Sequence, residues 1–230
     1  DGRPILGKSP NKHNRAWISI EKLPEEIIQA IKEEKITDMQ SKEERQQTLQ
    51  KQYKWPSDEA KSVIAVEDTS LLVNKVKGRQ YVEEVIEQVK AGFRDAVTDS
   101  VLTKEHAYGL KVNITDLELH EDPVHRGPAQ ILPMTWRPIW CCFLLSDPKL
   151  LEPIMTFDCK VPSDFVSSVI SIVQRRRGRV IDIPTEEEMM VVKANMPVAE
   201  SFGISEELRS ATEGRAFWAT QFSHWAPVPE

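Results

Sequence analysis

Two histidines, two carboxylates, an arginine and two prolines fall within the eleven residues His120-Glu121-Asp122-Pro123-Val124-His125-Arg126-Gly127-Pro128-Ala129-Gln130. Such groups could bind a metal ion, move protons, or contact phosphates and bases. Metal hydrolysis has a definite requirement. In the H-E-x-x-H arrangement two histidines four apart share one face of a helix. His120 and His125 are five apart, with Pro123 between them, so the spacing is wrong and one helix cannot carry both. A loop site on His120, Asp122 and His125, serving a metal-dependent hydrolase, is retained as an alternative of a different class.

Other chemistries lack their motifs. There is no G-x-S-x-G elbow for a nucleophilic serine. There is no G-x-x-x-x-G-K-[ST] phosphate loop, and no G-x-G-x-x-G following a strand. The three cysteines, Cys141, Cys142 and Cys159, form no C-x-x-C pair and are odd in number. They point to a reduced, intracellular protein with buried thiols. No catalytic residue, metal or cofactor is expected in this chain.

RNA contact has more support. A second segment, Lys8-Ser9-Pro10-Asn11-Lys12-His13-Asn14-Arg15, combines cations, amides and an imidazole in a turn-rich sequence. Arg and Lys meet phosphates, whereas His, Asn and Gln stack on exposed bases or bond to them. A third patch, Arg175, Arg176, Arg177 and Arg179, stands at a predicted helix end. There the helix dipole accounts for one or two cations more easily than four. The chain carries a net charge of −6, so these local patches favour confined RNA contact over general nucleic-acid binding.

The elements that must position these groups follow from periodicity. At 230 residues, 40% hydrophobic and 29% charged, the chain can build one large or two small cores. No apolar run approaches the roughly 20 residues that span a bilayer. The start, Asp1-Gly2-Arg3-Pro4, has neither an initiator Met nor a signal-peptide pattern, which suggests a fragment or a processed chain.

Residues 1–15 read as loop, Trp17–Ile20 as a strand, and Leu23-Pro24-Glu25-Glu26 as a helix start. Residues 40–62 read as exposed, solvated helices. Ser70–Val73 is a predicted strand. Val82, Val85, Ile86, Val89 and Phe93 form one buried helical stripe. Leu110, Val112 and Ile114 alternate, and the phase then slips to Leu117 and Leu119, predicting a bulge near Thr115–Asp116. A helix over about 129–146 should kink at Pro138.

After Asp147-Pro148 the pattern becomes strand, helix capped by Ser163, two strands, helix Ile204–Ala211, and final strand Arg215–Phe222. This βαββαβ order matches a ferredoxin-like unit. The expected class is α+β in two domains, 1–149 and 150–230, with loops 8–15 and 119–130 presented by the first.

Together, Lys8–Arg15, Leu119–Gln130 and Ser210-Ala211-Thr212-Glu213-Gly214-Arg215 resemble translation elongation factor 2 of the archaeal and eukaryotic type. Leu151-Glu152-Pro153, Arg176-Arg177-Gly178 and Pro197–Gly203 add to the resemblance, which runs from about Gly7 to the C-terminus. It implies the last two domains of a five-domain translocase. The fourth is a ribosomal-protein-like α/β domain with a left-handed βαβ unit, and the fifth is ferredoxin-like. GTP and Mg would belong to a domain upstream.

In that family the tip of the fourth domain enters the ribosomal decoding site as tRNA and mRNA advance. The resemblance places His125 at the histidine converted to diphthamide. It places His120, Asp122, Arg126 and Gly127 in the same loop, and Lys8, Asn11, Lys12, His13 and Asn14 in the neighbouring tip loop. The arginine cluster is the candidate rRNA contact. The implied partners are the ribosome, tRNA, mRNA and the diphthamide-synthesis enzymes, for a cytoplasmic monomer without membrane contact. The chain departs from the pattern at Pro123-Val124, where Ala-Ile is usual, and at Trp136-Arg137-Pro138, where Arg-Arg-Ala is usual. An unmodified paralogue that binds the ribosome without ordinary elongation activity is the nearer alternative.

Overall fold

Strands β1 (Ile5–Lys8) and β2 (Arg15–Lys22) form an antiparallel hairpin at the start of a computed structural model that describes residues 2–229. The first strand corrects the expectation of a loop over residues 1–15. Leu6 and Lys8 face outward while Gly7 is buried, so too few apolar side chains alternate for the strand to show in the sequence. Helices α1 (Glu25–Lys32), α2 (Lys42–Tyr53) and α3 (Ser57–Lys61) follow. Ser41 caps α2 in a reciprocal capping box with Glu44. The helix is not wholly solvated as expected, because Leu49 and Arg45 are buried.

Strands β3 (Val63–Glu67) and β4 (Ser70–Asn74), helix α4 (Val82–Thr98), strand β5 (Leu110–Glu118) and helix α5 (Pro128–Leu145) complete the first unit. Its sheet has the order β1-β2-β5-β4-β3, with β4 and β5 parallel and the other pairs antiparallel. Ala16, Ile18, Leu72, Val112 and Ile114 pack with α4 and α5 on one face. Leu71 and Val73 pack with α1, Leu49 and Ala60 on the other. A strand buried on both faces reads as a continuous apolar run, as Ser70–Asn74 does.

Helix α5 runs unbroken through Pro133 and Pro138. Pro138 cannot donate to the carbonyl of Met134, four residues earlier. That carbonyl faces β1, where a Cβ on Gly7 would lie 2.2 Å from it and 2.7 Å from Pro138 Cγ. Glycine at position 7 lets the hairpin lie against α5.

The second unit divides from the first between Pro148 and Lys149. It contains β6 (Leu151–Val161), α6 (Val166–Arg175), β7 (Arg179–Asp182), a short β8 (Thr185–Glu186), β9 (Met189–Pro197), α7 (Ile204–Ala211) and β10 (Phe217–Pro227). The antiparallel order β10-β6-β9-β7 is the ferredoxin-like arrangement. Phe157, Cys159, Val169, Val173, Val192, Ala194 and Leu208 form its core. Ser163 does not cap α6. It begins a 3-10 turn, Ser163–Phe165, and the helix starts after it without a side-chain cap.

Candidate nucleic-acid interface

The topology of the first unit brings three connections to one end. Strands β2 and β5 are antiparallel neighbours, so the turn entering β2 and the loop leaving β5 emerge side by side. Strand β4 is parallel to β5, so the connection from β4 to α4 leaves at the same end. The predicted bulge falls at Thr115, since Ile18 pairs with Ile114 and Trp17 with Asp116. The hydroxyl of Thr115 donates to the carbonyl of Trp17 at 3.0 Å. Beyond the bulge the pairing continues to Arg15 opposite Glu118.

The turn after β1 is folded by its own polar groups. The amide of Lys12 donates to the carbonyl of Ser9 at 2.8 Å. The carboxamide oxygen of Asn11 accepts from the Ser9 hydroxyl at 2.6 Å and from the His13 amide at 3.1 Å. Lys12 takes a left-handed backbone, φ 65°. Such a conformation is uncommon for a residue with a Cβ and marks a constrained turn.

The loop after β5 contains a 3-10 turn, Pro123–Arg126, with Pro123 at its first position and Asp122 capping it through a bond from the Val124 amide at 3.0 Å. Pro123 excludes a longer helix yet suits this turn, because its missing N–H would be unpaired there. Nδ1 of His120 accepts from the Asp122 amide at 3.0 Å.

The two loops are tied directly. The side-chain amides of Asn11 and Asn14 donate to the carbonyl of His125 at 3.1 and 2.8 Å. The Asn14 carboxamide oxygen accepts from the His120 amide at 3.0 Å, and the Asn11 amide donates to Gln130 Oε1 at 2.8 Å. The imidazoles of His13, His120 and His125 consequently gather. Their centroids are 5.0 Å apart for His13 and His120, 4.7 Å for His13 and His125, and 4.5 Å for His120 and His125. Lys8, Lys12 and His13 are exposed, and His120 and His125 are half-buried. Asp122 is exposed, and Gly127 caps the start of α5. Among the described residues, no three His, Cys, Asp or Glu side chains are grouped so as to hold a metal ion.

Two residues expected to face RNA face inward instead. Asn14 is 0% exposed and Arg126 4%. The guanidinium of Arg126 donates to the carbonyl of His120 at 2.9 Å, pairs with Glu84, and stacks 4.2 Å from the centroid of the Tyr81 ring. Both residues shape the loops from inside.

The third connection, residues 75–81, was not singled out in the sequence because its charges are spaced apart. Its Arg79 donates to both carboxylate oxygens of Asp116 at 2.8 and 2.5 Å. This bond holds the Asp116 carboxyl below its ordinary range. Arg15 pairs with Glu118 at 2.8 Å. Asp116 and Glu118 are thus paired, whereas Glu121 and Asp122 are exposed in the tip loop, and Lys8, Lys12 and Lys77 are the exposed cations that could meet phosphate.

The arginine cluster belongs to the second unit and is mostly engaged within it. Arg175 and Arg176 pair with Glu207 at 2.6 and 2.8 Å. Arg177 pairs with Glu152 and Glu200, each at 2.8 Å. Arg176 also donates to the carbonyls of Glu200 and Phe202. Arg179 is exposed at the start of β7, as Arg175 and Arg177 are in their ion pairs.

Comparison with known proteins bears on both units. Residues 29–147 match the family model for elongation factor G, domain IV, and residues 149–230 that for the elongation factor G C-terminus. The chain is 43% identical over 226 residues to Elongation factor 2 of Pyrobaculum neutrophilum, covering 97% of this chain and 30% of that protein. It is 43% identical over 225 residues to Elongation factor 2 of Sulfurisphaera tokodaii, with the same coverage of each. For Elongation factor 2 of Methanopyrus kandleri the identity is 43% over 227 residues, covering 98% of this chain and 18% of that protein. The chain therefore spans less than a third of the length of these relatives. Among the described residues no helix is long and apolar enough to cross a membrane.

Proposed function

The chain belongs to the translation elongation factor 2 and G family, and on that premise we propose that it is the ribosome-facing part of a translocase. In this reading the tied loops of the first unit enter the decoding site and contact tRNA and mRNA as they advance. The observation that carries it is the carbonyl of His125 held by Asn11 and Asn14 from the opposite loop. These bonds fix two polar loops as one body, with three imidazoles and the exposed Lys8 and Lys12 on it.

A contact that must follow moving RNA without slipping gains from being ordered beforehand, since little conformational entropy is then lost on binding. Lysines meet the phosphate backbone and imidazoles meet exposed bases and riboses. The chain's own residues perform no bond chemistry in this scheme. GTP and Mg would act in another part of a full-length factor.

His125 is the proposed site of diphthamide. Pro123, which departs from the family pattern, is accommodated as the first residue of the 3-10 turn that contains His125. Peptide mass analysis of the native protein should show a mass increase on the His125 peptide, and an unmodified mass would refute this assignment.

The functional test replaces the matching segment of a full-length Elongation factor 2 with this chain, with and without His13→Ala, Lys12→Ala and His125→Ala. Slower single-codon translocation or increased frameshifting, with thermal stability preserved, is the expected outcome. Wild-type rates and reading-frame fidelity in all three variants would sink the proposal.

A further inference from the structure

Arg126 is buried at 4% exposure, an unusual position for an arginine in a surface loop. Three groups account for it. Its Nη1 donates to the carbonyl of His120 at 2.9 Å, its Nη2 pairs with Glu84, and its guanidinium lies over the ring of Tyr81 at 4.2 Å. Tyr81 and Glu84 both stand at the start of α4, some forty residues earlier in the chain. Tyr81 holds a left-handed backbone, φ 66°, at the N-cap. A glycine would take that conformation with less strain, so a tyrosine there points to a use for its ring.

The consequence lies one step further on. The carbonyl that Arg126 holds belongs to His120, whose amide is held by Asn14 and whose Nδ1 accepts from the Asp122 amide. His120 packs edge-to-face on His125 at 4.5 Å. We infer that Tyr81 and Glu84 are positioning residues, which clamp Arg126 so that it fixes the 120–127 loop and thereby the orientation of the His120 and His125 imidazoles. The importance of that orientation rests on the proposed role of His125, but the clamp can be tested without the ribosome.

An ammonium at position 126 could not supply the same contacts. Arginine alone offers a flat face to the ring and two separate donors to the carbonyl and the carboxylate. An acidic residue in the first turn of α4 would favour the helix dipole whatever its contact with Arg126. The experiment must therefore read the loop rather than stability.

The test is side-chain NMR on the 230-residue chain. In the wild type, neutral His120 should be the Nε2–H tautomer, because its Nδ1 is an acceptor. Tyr81→Leu and Glu84→Gln should speed exchange of the Arg126 guanidinium protons by about tenfold. Both should convert His120 to a mixture of tautomers and shift the His125 ring signals. Tyr81→Phe, which keeps the ring, should give the wild-type spectrum. Should Tyr81→Leu fail to fold, Glu84→Gln carries the same test at a half-exposed position.

Faster Arg126 exchange with unchanged His120 and His125 signals would overturn the inference. So would unchanged exchange in the folded Glu84→Gln and Tyr81→Leu variants. Displaced ring signals with unaltered translocation in the chimaeric factor would leave the clamp standing and remove the proposed function.

Discussion

The side-chain amide of Asn14 donates to the carbonyl of His125 at 2.8 Å, across 111 positions of sequence. The same side chain accepts from the His120 amide, so one buried carboxamide uses its donor and its acceptor on a single neighbouring loop. The side-chain amide of Asn11 fills the second acceptor position on the His125 carbonyl. Polar loops ordinarily satisfy their backbone with water, whereas here each loop satisfies the other, which is what makes the pair stiff.

Asn14→Asp should be more damaging than its near-identical shape suggests. It replaces the donor with a carboxylate oxygen facing the His125 carbonyl, in a position 0% exposed. Asn14→Ala should cost about 1–2 kcal/mol in urea unfolding, since it leaves the His120 amide without its acceptor and the His125 carbonyl with Asn11 alone. Asn14→Asp should cost at least as much, and both should speed hydrogen exchange at the His120 amide. Stability equal to wild type would show that water replaces the carboxamide.

Gly7→Ala should separate the hairpin from α5. The added Cβ would meet the Met134 carbonyl and Pro138 Cγ within 2.7 Å, and a helix carbonyl beside a rigid proline ring leaves little room to yield. A loss of about 1–3 kcal/mol is expected from such overpacking, measured as a lower midpoint of thermal unfolding. Gly127→Ala is the control, because nothing lies within 4 Å of its Cβ position and its φ is −65°.

What the sequence made legible was local. The phase slip in Leu110–Leu119 marked the bulge at Thr115, and the stripe from Val82 to Phe93 marked α4. The run of loop residues around His125 marked the candidate site, because proline, glycine and polar groups cluster there. What it hid was long-range. Asn14 and Arg126 are polar residues in polar segments, and no periodicity reveals that they point inward. Tyr81 and Glu84 look like an ordinary helix start until Arg126 is seen against them. The arginine run likewise looked free because Glu152, Glu200 and Glu207 lie 23 to 32 residues away.

The three thiols should differ sharply in reactivity. Burial pushes Cys142 and Cys159 up to about 11, and a thiol reacts as its thiolate. Cys141 is exposed on α5, whereas Cys142 donates to the Ile18 carbonyl at 3.3 Å. Iodoacetamide at neutral pH should modify Cys141 alone, and all three after denaturation, as read by intact mass. Modification of Cys142 in the folded chain would mean that α5 separates from β2.

The ion pairs under the sheet should set the pH range of the first unit's stability. Glu59 accepts from Lys75 at 2.9 Å and from Lys111 at 3.0 Å. Burial raises the Glu59 carboxyl, but the two ammonium groups outweigh it and hold it below its ordinary 4.5. A carboxylate depressed on folding contributes stability that is present above its unfolded value and lost as pH falls through the folded one. Lys111 behaves oppositely. Burial lowers it, yet bonds from Glu59 and Glu21 hold it above 10.5, so its contribution is present below that value and lost as pH rises beyond it. Urea unfolding should therefore show this network contributing steadily between about pH 5 and pH 10 and weakening on both sides. Glu59→Gln should destabilise the first unit at neutral pH by about 3 kcal/mol, since it leaves a nearly buried ammonium with one carboxylate fewer. It should also make the acid side of the profile shallower. An acid limb of unchanged steepness in that variant would assign the pH dependence to other carboxylates, with Asp116 beside Arg79 the first to examine.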